Sequence, residues 1–135
     1  MKIKSILNIA VLSVGLLGIA ATATAGDIFV IAHSSVDLTK SELRDVYLGE
    51  KEFAGSIKLM PTDNAAIQSD FLEKVMSMEA RKYGSLWTKK RFRGGLAAPT
   101  ILHGDAAVTS FVKNTPGAVG YTEVAPQGVK LLYKY

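Results

Sequence analysis

What most constrains this chain is the alternation of strand-like runs with capped, one-sided helices from residue 27 onward. Asp27-Ile28-Phe29-Val30-Ile31-Ala32-His33 is apolar and β-branched without polar alternation, the pattern of a buried strand. Leu38-Thr39-Lys40-Ser41-Glu42-Leu43 then opens a helix. Thr39 stands as N-cap with Glu42 as its capping-box partner, and Leu38 and Leu43 occupy the staple positions. Leu43, Val46 and Tyr47 form its apolar side, and Gly49 stops it. Ser56–Pro61 reads as a second strand, and residues 65–76 as a helix with Ile67, Phe71, Leu72, Val75 and Met76 inward. Ser77 can cap a third helix, in which Ala80, Tyr83, Gly84 and Trp87 recur at helical spacing before the basic run Lys89-Lys90-Arg91-Phe92-Arg93 and Gly94-Gly95. Asp105 can cap a fourth, with Ala107, Val108, Phe111 and Val112 inward, ending at Asn114 and Pro116. Residues 117–121 and 129–133 read as closing strands. Such an order predicts an α/β fold, a mixed and mostly parallel sheet flanked by helices.

Ahead of this domain lies a different kind of segment. Met1-Lys2-Ile3-Lys4 is short and positive, residues 5–20 are uncharged and mostly apolar, and Ala23-Thr24-Ala25 is an A-x-A cleavage pattern. The expected organisation is a signal peptide over residues 1–25 and one α/β domain over 26–135, periplasmic or secreted after cleavage near Ala25. An uncleaved anchor is the competing reading, because about 20 uncharged residues suffice to span a bilayer. No Cys exists anywhere in the chain, which excludes disulfides, thiol redox chemistry and thiolate metal sites. Lys2 and Lys4 belong to the leader, leaving 14 basic against 12 acidic residues in the domain. That near balance implies no nucleic-acid partner and no stable membrane insertion after cleavage.

In sheets of this kind ligands bind beyond the carboxyl ends of strands, near helix N-termini. Two junctions qualify: Ser34-Ser35 after the first strand and Thr62-Asp63-Asn64 after the second. The amides of Asn64, Ala65 and Ala66 could donate to an anion, with Arg91 or Arg93 assisting and Gly94 allowing close backbone approach. Each feature has a plainer reading as well. Asp63-Asn64 can simply cap a helix, the basic run can be a solvated helix C-terminus, and Trp87, Tyr83 and Phe92 at helical spacing can be core. His33 and His103 lack ligand-spaced neighbours, so no metal or cofactor is expected. No nucleophile elbow, Walker or H-E-x-x-H pattern is present, and no catalytic residue is assigned.

Leu38-Thr39-x-x-Glu42-Leu43-x-Asp45-Val46-Tyr47-Leu48-Gly49 resembles the segment of phosphate-binding proteins of ABC importers that reads L-x-x-I-Y-L-G. Pro116-Gly117-Ala118-Val119-Gly120-Tyr121 resembles their P-G-A-I-G-Y, and Asp63 sits where they carry an Asp-containing phosphate loop before a helix. The resemblance implies one lobe of a class II periplasmic-binding-protein fold and non-catalytic capture of a small oxyanion or polar solute. In that family a Ser-Gly-Thr at a helix N-terminus binds the anion, with a nearby Arg. Here Ala65 and Ile67 replace the hydroxyl residues, and the Arg position falls near Pro61. Each charge-assisted hydrogen bond so lost is worth about 1.5–3 kcal/mol. A second reading therefore stands beside the first: a ligand-free module that pairs with another envelope protein or with itself.

Overall fold

The computed structural model describes residues 26–135; the leader expected over residues 1–25 lies outside the described residues. In chain order the elements are β1 (Phe29–Ala32), α1 (Lys40–Tyr47), β2 (Phe53–Ala54), β3 (Ile57–Lys58), β4 (Met60–Asn64), α2 (Gln68–Phe71), α3 (Ala80–Gly94), β5 (Thr100–Leu102), α4 (Asp105–Asn114), β6 (Ala118–Thr122) and β7 (Lys130–Lys134). A π-helical turn, Leu72–Met76, continues α2.

Five strands form one sheet in the order β5-β4-β6-β1-β7, and β2 and β3 form a separate hairpin. β4 runs parallel to β5 and β6, whereas β1 is antiparallel to both β6 and β7. The sheet is mixed, as expected, but only half its pairings are parallel. The reason is topological: β7 returns to β1 along the sheet margin after β6. β1 is therefore an interior strand buried on both faces, which is why it reads as Phe-Val-Ile-Ala without alternation.

Successive residues divide between two layers. Ile31 and Ala118 pack with Val108 and Val112 of α4 on one face. Val30, Ala32, Val119 and Tyr121 pack on the other with Leu43, Val46 and Tyr47 of α1, Phe71, and Tyr83 and Trp87 of α3. Gly120 lets α4 approach the sheet; a Cβ there would lie 2.6 Å from Val108 Cγ1.

Local signals are honoured closely at α1. Thr39 Oγ1 accepts from Glu42 N–H at 3.1 Å, and Glu42 Oε1 accepts from Thr39 N–H at 3.3 Å. Leu38 and Leu43 are both buried. Elsewhere the elements shift. Gly55, at φ 62°, turns the segment read as one strand into the β2–β3 hairpin, and the sheet strand proper begins at Met60. The helix read over residues 65–76 begins at Gln68, and its last turn widens before Ser77, at φ 50°, closes it. Ser77 therefore ends that helix instead of capping α3, whose N-cap is Glu79. Gly104 is the N-cap of α4, one residue before Asp105.

Candidate functional site

Asp63 is the centre of the molecule's most constrained polar cluster. Although expected at a strand-to-helix junction, Thr62, Asp63 and Asn64 lie inside β4 and are all buried. A buried strand tolerates three polar side chains only if every polar atom finds a partner, and here each does. Thr62 Oγ1 donates to the Thr100 carbonyl at 2.9 Å. Asp63 Oδ1 accepts from the Tyr121 hydroxyl and Oδ2 from the Tyr83 hydroxyl, both at 2.8 Å. Burial pushes the Asp63 carboxyl upward from its ordinary range, while hydrogen bonds from Tyr83, Tyr121 and Gln68 pull it back. Burial and the adjacent carboxylate push the Tyr83 and Tyr121 hydroxyls far above theirs, so both remain donors.

Aromatic packing fixes these donors. Tyr121 stacks on Phe71 with ring centroids 3.8 Å apart, and Tyr47 meets Phe71 edge-on at 4.8 Å. Tyr47 donates its hydroxyl to the Thr62 carbonyl at 2.9 Å.

Asn64 joins three segments through one amide group. Its Nδ2 donates to Asp105 Oδ1 at 3.1 Å and to the Tyr121 carbonyl at 3.2 Å. Its Oδ1 accepts from the Ala66 and Gly104 amides, both at 3.1 Å. Asp105 in turn accepts from the Glu123 and Val124 amides at 3.0–3.1 Å. The carboxyl ends of β4 and β6 and the β5–α4 turn are thereby locked into one edge.

This arrangement changes the roles expected of several residues. The Ala66 amide is taken by Asn64 Oδ1, and the Ala65 amide donates to the Leu102 carbonyl at 2.8 Å. Two of the three amides of the expected cradle are thus engaged within the chain; Ala65 and Ala66 are exposed, but their N–H groups point into existing bonds. Asp63, 1% exposed, is sealed from solvent.

Nor do the candidate residues converge. Because β1 is antiparallel to β6 while β4 is parallel to it, the carboxyl end of β1 lies at the amino end of β4. Ser34-Ser35 and Asp63-Asn64 are therefore at opposite ends of the sheet, separated by most of the length of β4, about 13 Å for a four-residue advance. Ser35 instead braces a turn: its backbone N–H donates to His33 Nδ1 at 3.1 Å, and its Oγ accepts from Gly117 N–H at 3.3 Å. Arg91, Arg93 and Gly94 occupy the far end of α3, about 12–16 Å along the helix axis from Tyr83. Tyr83 and Trp87 are core, but Phe92 is 88% exposed.

Sequence reasoning missed the Tyr83 and Tyr121 hydroxyls as Asp63's partners. Their usable signal was a buried-strand position carrying a carboxylate, which must be satisfied by donors from elsewhere. Residues 64–70, 102–106 and 122–125, which form the locked edge and its approaches, contain Asp70, Asp105, Glu123 and His103 but no Lys or Arg. Among the described residues no group of three or more His, Asp or Glu side chains could hold a metal ion. Among them, too, no helix is long and apolar enough to cross a membrane.

No protein-family profile matches this chain, and no curated protein matches it. Among solved structures it is similar to a protein from Clostridium perfringens described as a phosphate ABC transporter substrate-binding protein, crystallised with bound phosphate. The two share a TM-score of 0.59 at 18% sequence identity. The match covers 78% of this chain and 43% of the other. The chain thus spans less than half the length of that neighbour, and the likeness establishes the fold: one lobe of a periplasmic-binding-protein-like architecture.

Proposed function

We propose that the chain is an exported, non-catalytic solute-binding protein of the cell envelope that holds a small oxyanion or polar solute at the carboxyl edge of β4, β5 and β6. The observation that carries the reading is the shared lobe architecture with a protein crystallised around phosphate. The edge is rigidly set by Asn64 and Asp105, as a preorganised platform requires. Its charges rank the ligands. With three acidic residues and no Lys or Arg along the edge segments, a neutral or zwitterionic polar solute suits it better than phosphate. An oxyanion would need cations from a facing surface.

Thermal melting of the chain at low salt against phosphate, sulfate and a panel of neutral and zwitterionic solutes tests this. A ligand at about 100 times its Kd adds roughly 2.7 kcal/mol, a shift on the order of 10 °C for a domain this size. One solute should shift the curve, and Asn64→Ala, which unlocks the edge, should abolish that shift while the variant still melts cooperatively. Flat curves throughout would refute the reading.

The second reading is a ligand-free interaction module, pairing with another envelope protein or with a second copy. It is favoured by the exposed outer edge of β5, where Ile101 is 55% exposed. Sedimentation showing a monomer at high concentration, with no partner crosslinked in cells, would refute it.

A further inference from the structure

The molecule's other end carries a feature that the solute-binding reading does not use. Between the β2–β3 hairpin, the amino ends of β4 and β5, and α3 lies a cavity of about 200 Å³. Its walls are chiefly apolar, formed by Val46, Leu59, Pro61, Trp87, Leu96 and Ala98. Trp87 is rigidly placed in this wall: its Nε1 donates to the Tyr47 carbonyl at 3.1 Å. Gly49 packs so close beneath the indole that a Cβ would lie 2.6 Å from Cη2.

An open surface depression adjoins this cavity, sharing Glu52 and Leu96 with it, and is otherwise lined by Lys89, Lys90, Arg93 and Gly94. The continuity follows from helix geometry, since Trp87, Lys90 and Gly94 stand at i, i+3 and i+7 on one face of α3. Lys58 stands on the apolar cavity's border. The ion pairs Lys51–Glu42, Lys130–Asp37 and Lys134–Asp27 involve none of Lys58, Lys89, Lys90 and Arg93, which among the described residues keep their charge uncompensated by an ion pair. Glu52 is the one carboxylate set against these four cations in the two linings.

From these two features we infer that the α3 end of the molecule is a binding site for a small amphiphilic anion: one ring-sized apolar group seated against Trp87, with a carboxylate or similar anionic group a short chain away among Lys89, Lys90 and Arg93. The volume sets the apolar part, because a dry apolar cavity of about 150 Å³ already accepts benzene. The charge sets the other part, because an uncompensated cationic cluster beside low-dielectric walls strengthens attraction for an anion. This site lies at the amino ends of β4 and β5, opposite the locked edge, and stands or falls separately from the proposal made there.

Trp87 is the chain's single tryptophan, so its emission reports on this cavity alone. The probe is 3-phenylpropionate, titrated into the protein at low salt with excitation at the red edge of the indole band. It should change Trp87 emission saturably at millimolar concentration or below. Acetate, which lacks the ring, should leave the emission unchanged, and 3-phenylpropanol, which lacks the charge, should bind about tenfold more weakly. The surface variant Lys90→Gln/Arg93→Gln should weaken 3-phenylpropionate about tenfold while leaving 3-phenylpropanol unaffected. Absence of a saturable change, or equal binding of acid and alcohol, would overturn the inference. So would a double variant that binds the acid as tightly as the parent, and its unchanged melting curve would show that the variant is folded.

Discussion

Removing one tyrosine hydroxyl from Asp63 should produce a stability loss that grows with pH. In Tyr83→Phe the ring remains in its core position, but Asp63 Oδ2 loses a donor at 2.8 Å within a site 1% exposed. A hydrogen bond to a charged, buried acceptor is worth about 1.5–3 kcal/mol, and the loss should fall in that range at pH 8. The pH dependence follows from the direction of the shift. Burial raises the folded-state pKa of Asp63 above the ordinary value of 3.8, and the tyrosine hydroxyls oppose that rise. The folded state therefore holds the proton more tightly than the unfolded chain. The associated stability is present below the unfolded pKa and is lost as pH rises through the raised folded pKa. Taking away Tyr83's hydroxyl raises the folded pKa further, so the variant gives up more as the carboxylate ionises. As the pH falls through the raised folded pKa, a protonated Asp63 no longer presents a charge to be satisfied, and the loss should shrink toward about 1 kcal/mol. Urea unfolding of parent and variant at pH 4, 6 and 8 measures it. Repeating the pair in an Asp63→Asn background isolates the carboxylate. An identical loss at every pH, or a pH dependence that persists with Asn at position 63, would refute the reasoning.

Tyr121→Phe should behave in the same way by equilibrium unfolding, since its stacking on Phe71 does not require the hydroxyl. Raised tyrosine pKa values at positions 47, 83 and 121 give the same sign at the alkaline end: stability should fall as pH rises above 10, followed by denaturant titration. Gly117→Ala should cost about 2–4 kcal/mol in urea unfolding, because Gly117 has φ 82° and an added Cβ would meet the Lys58 carbonyl oxygen. Thr39→Ala, which breaks the capping box of α1, should cost about 1 kcal/mol by the same measurement.

What was legible in the sequence was local. Thr39, Glu42 and the two leucines specify the start of α1 within six residues, and the structure forms that cap in full. The uniform apolarity of β1 likewise announces a strand covered on both faces. By contrast, β5 escaped because Thr100-Ile101-Leu102 is a three-residue edge strand, too short for periodicity to declare. The helix after β4 reads as uniform because Val75 and Met76 keep their inward spacing through the π-helical turn. The site was least legible for a related reason. Asp63's partners lie 20 and 58 residues away, so its role as a buried anchor is a property of the sheet order. The same sheet order separates Ser34-Ser35 from Asp63-Asn64, since strand direction is not written in either strand's residues.

The pairing of β1 with β7 bears on how the molecule comes into being. Ile28 and Tyr135 exchange both backbone hydrogen bonds, at 3.0 and 2.8 Å, which extends the ladder past the strand ends. The sheet's interior strand thus takes its outer neighbour from residues 130–134, far from it in sequence. Until β7 docks, β1 keeps one flank bare, and because contacts of such sequence separation form slowly, closing this ladder should be among the late steps of folding.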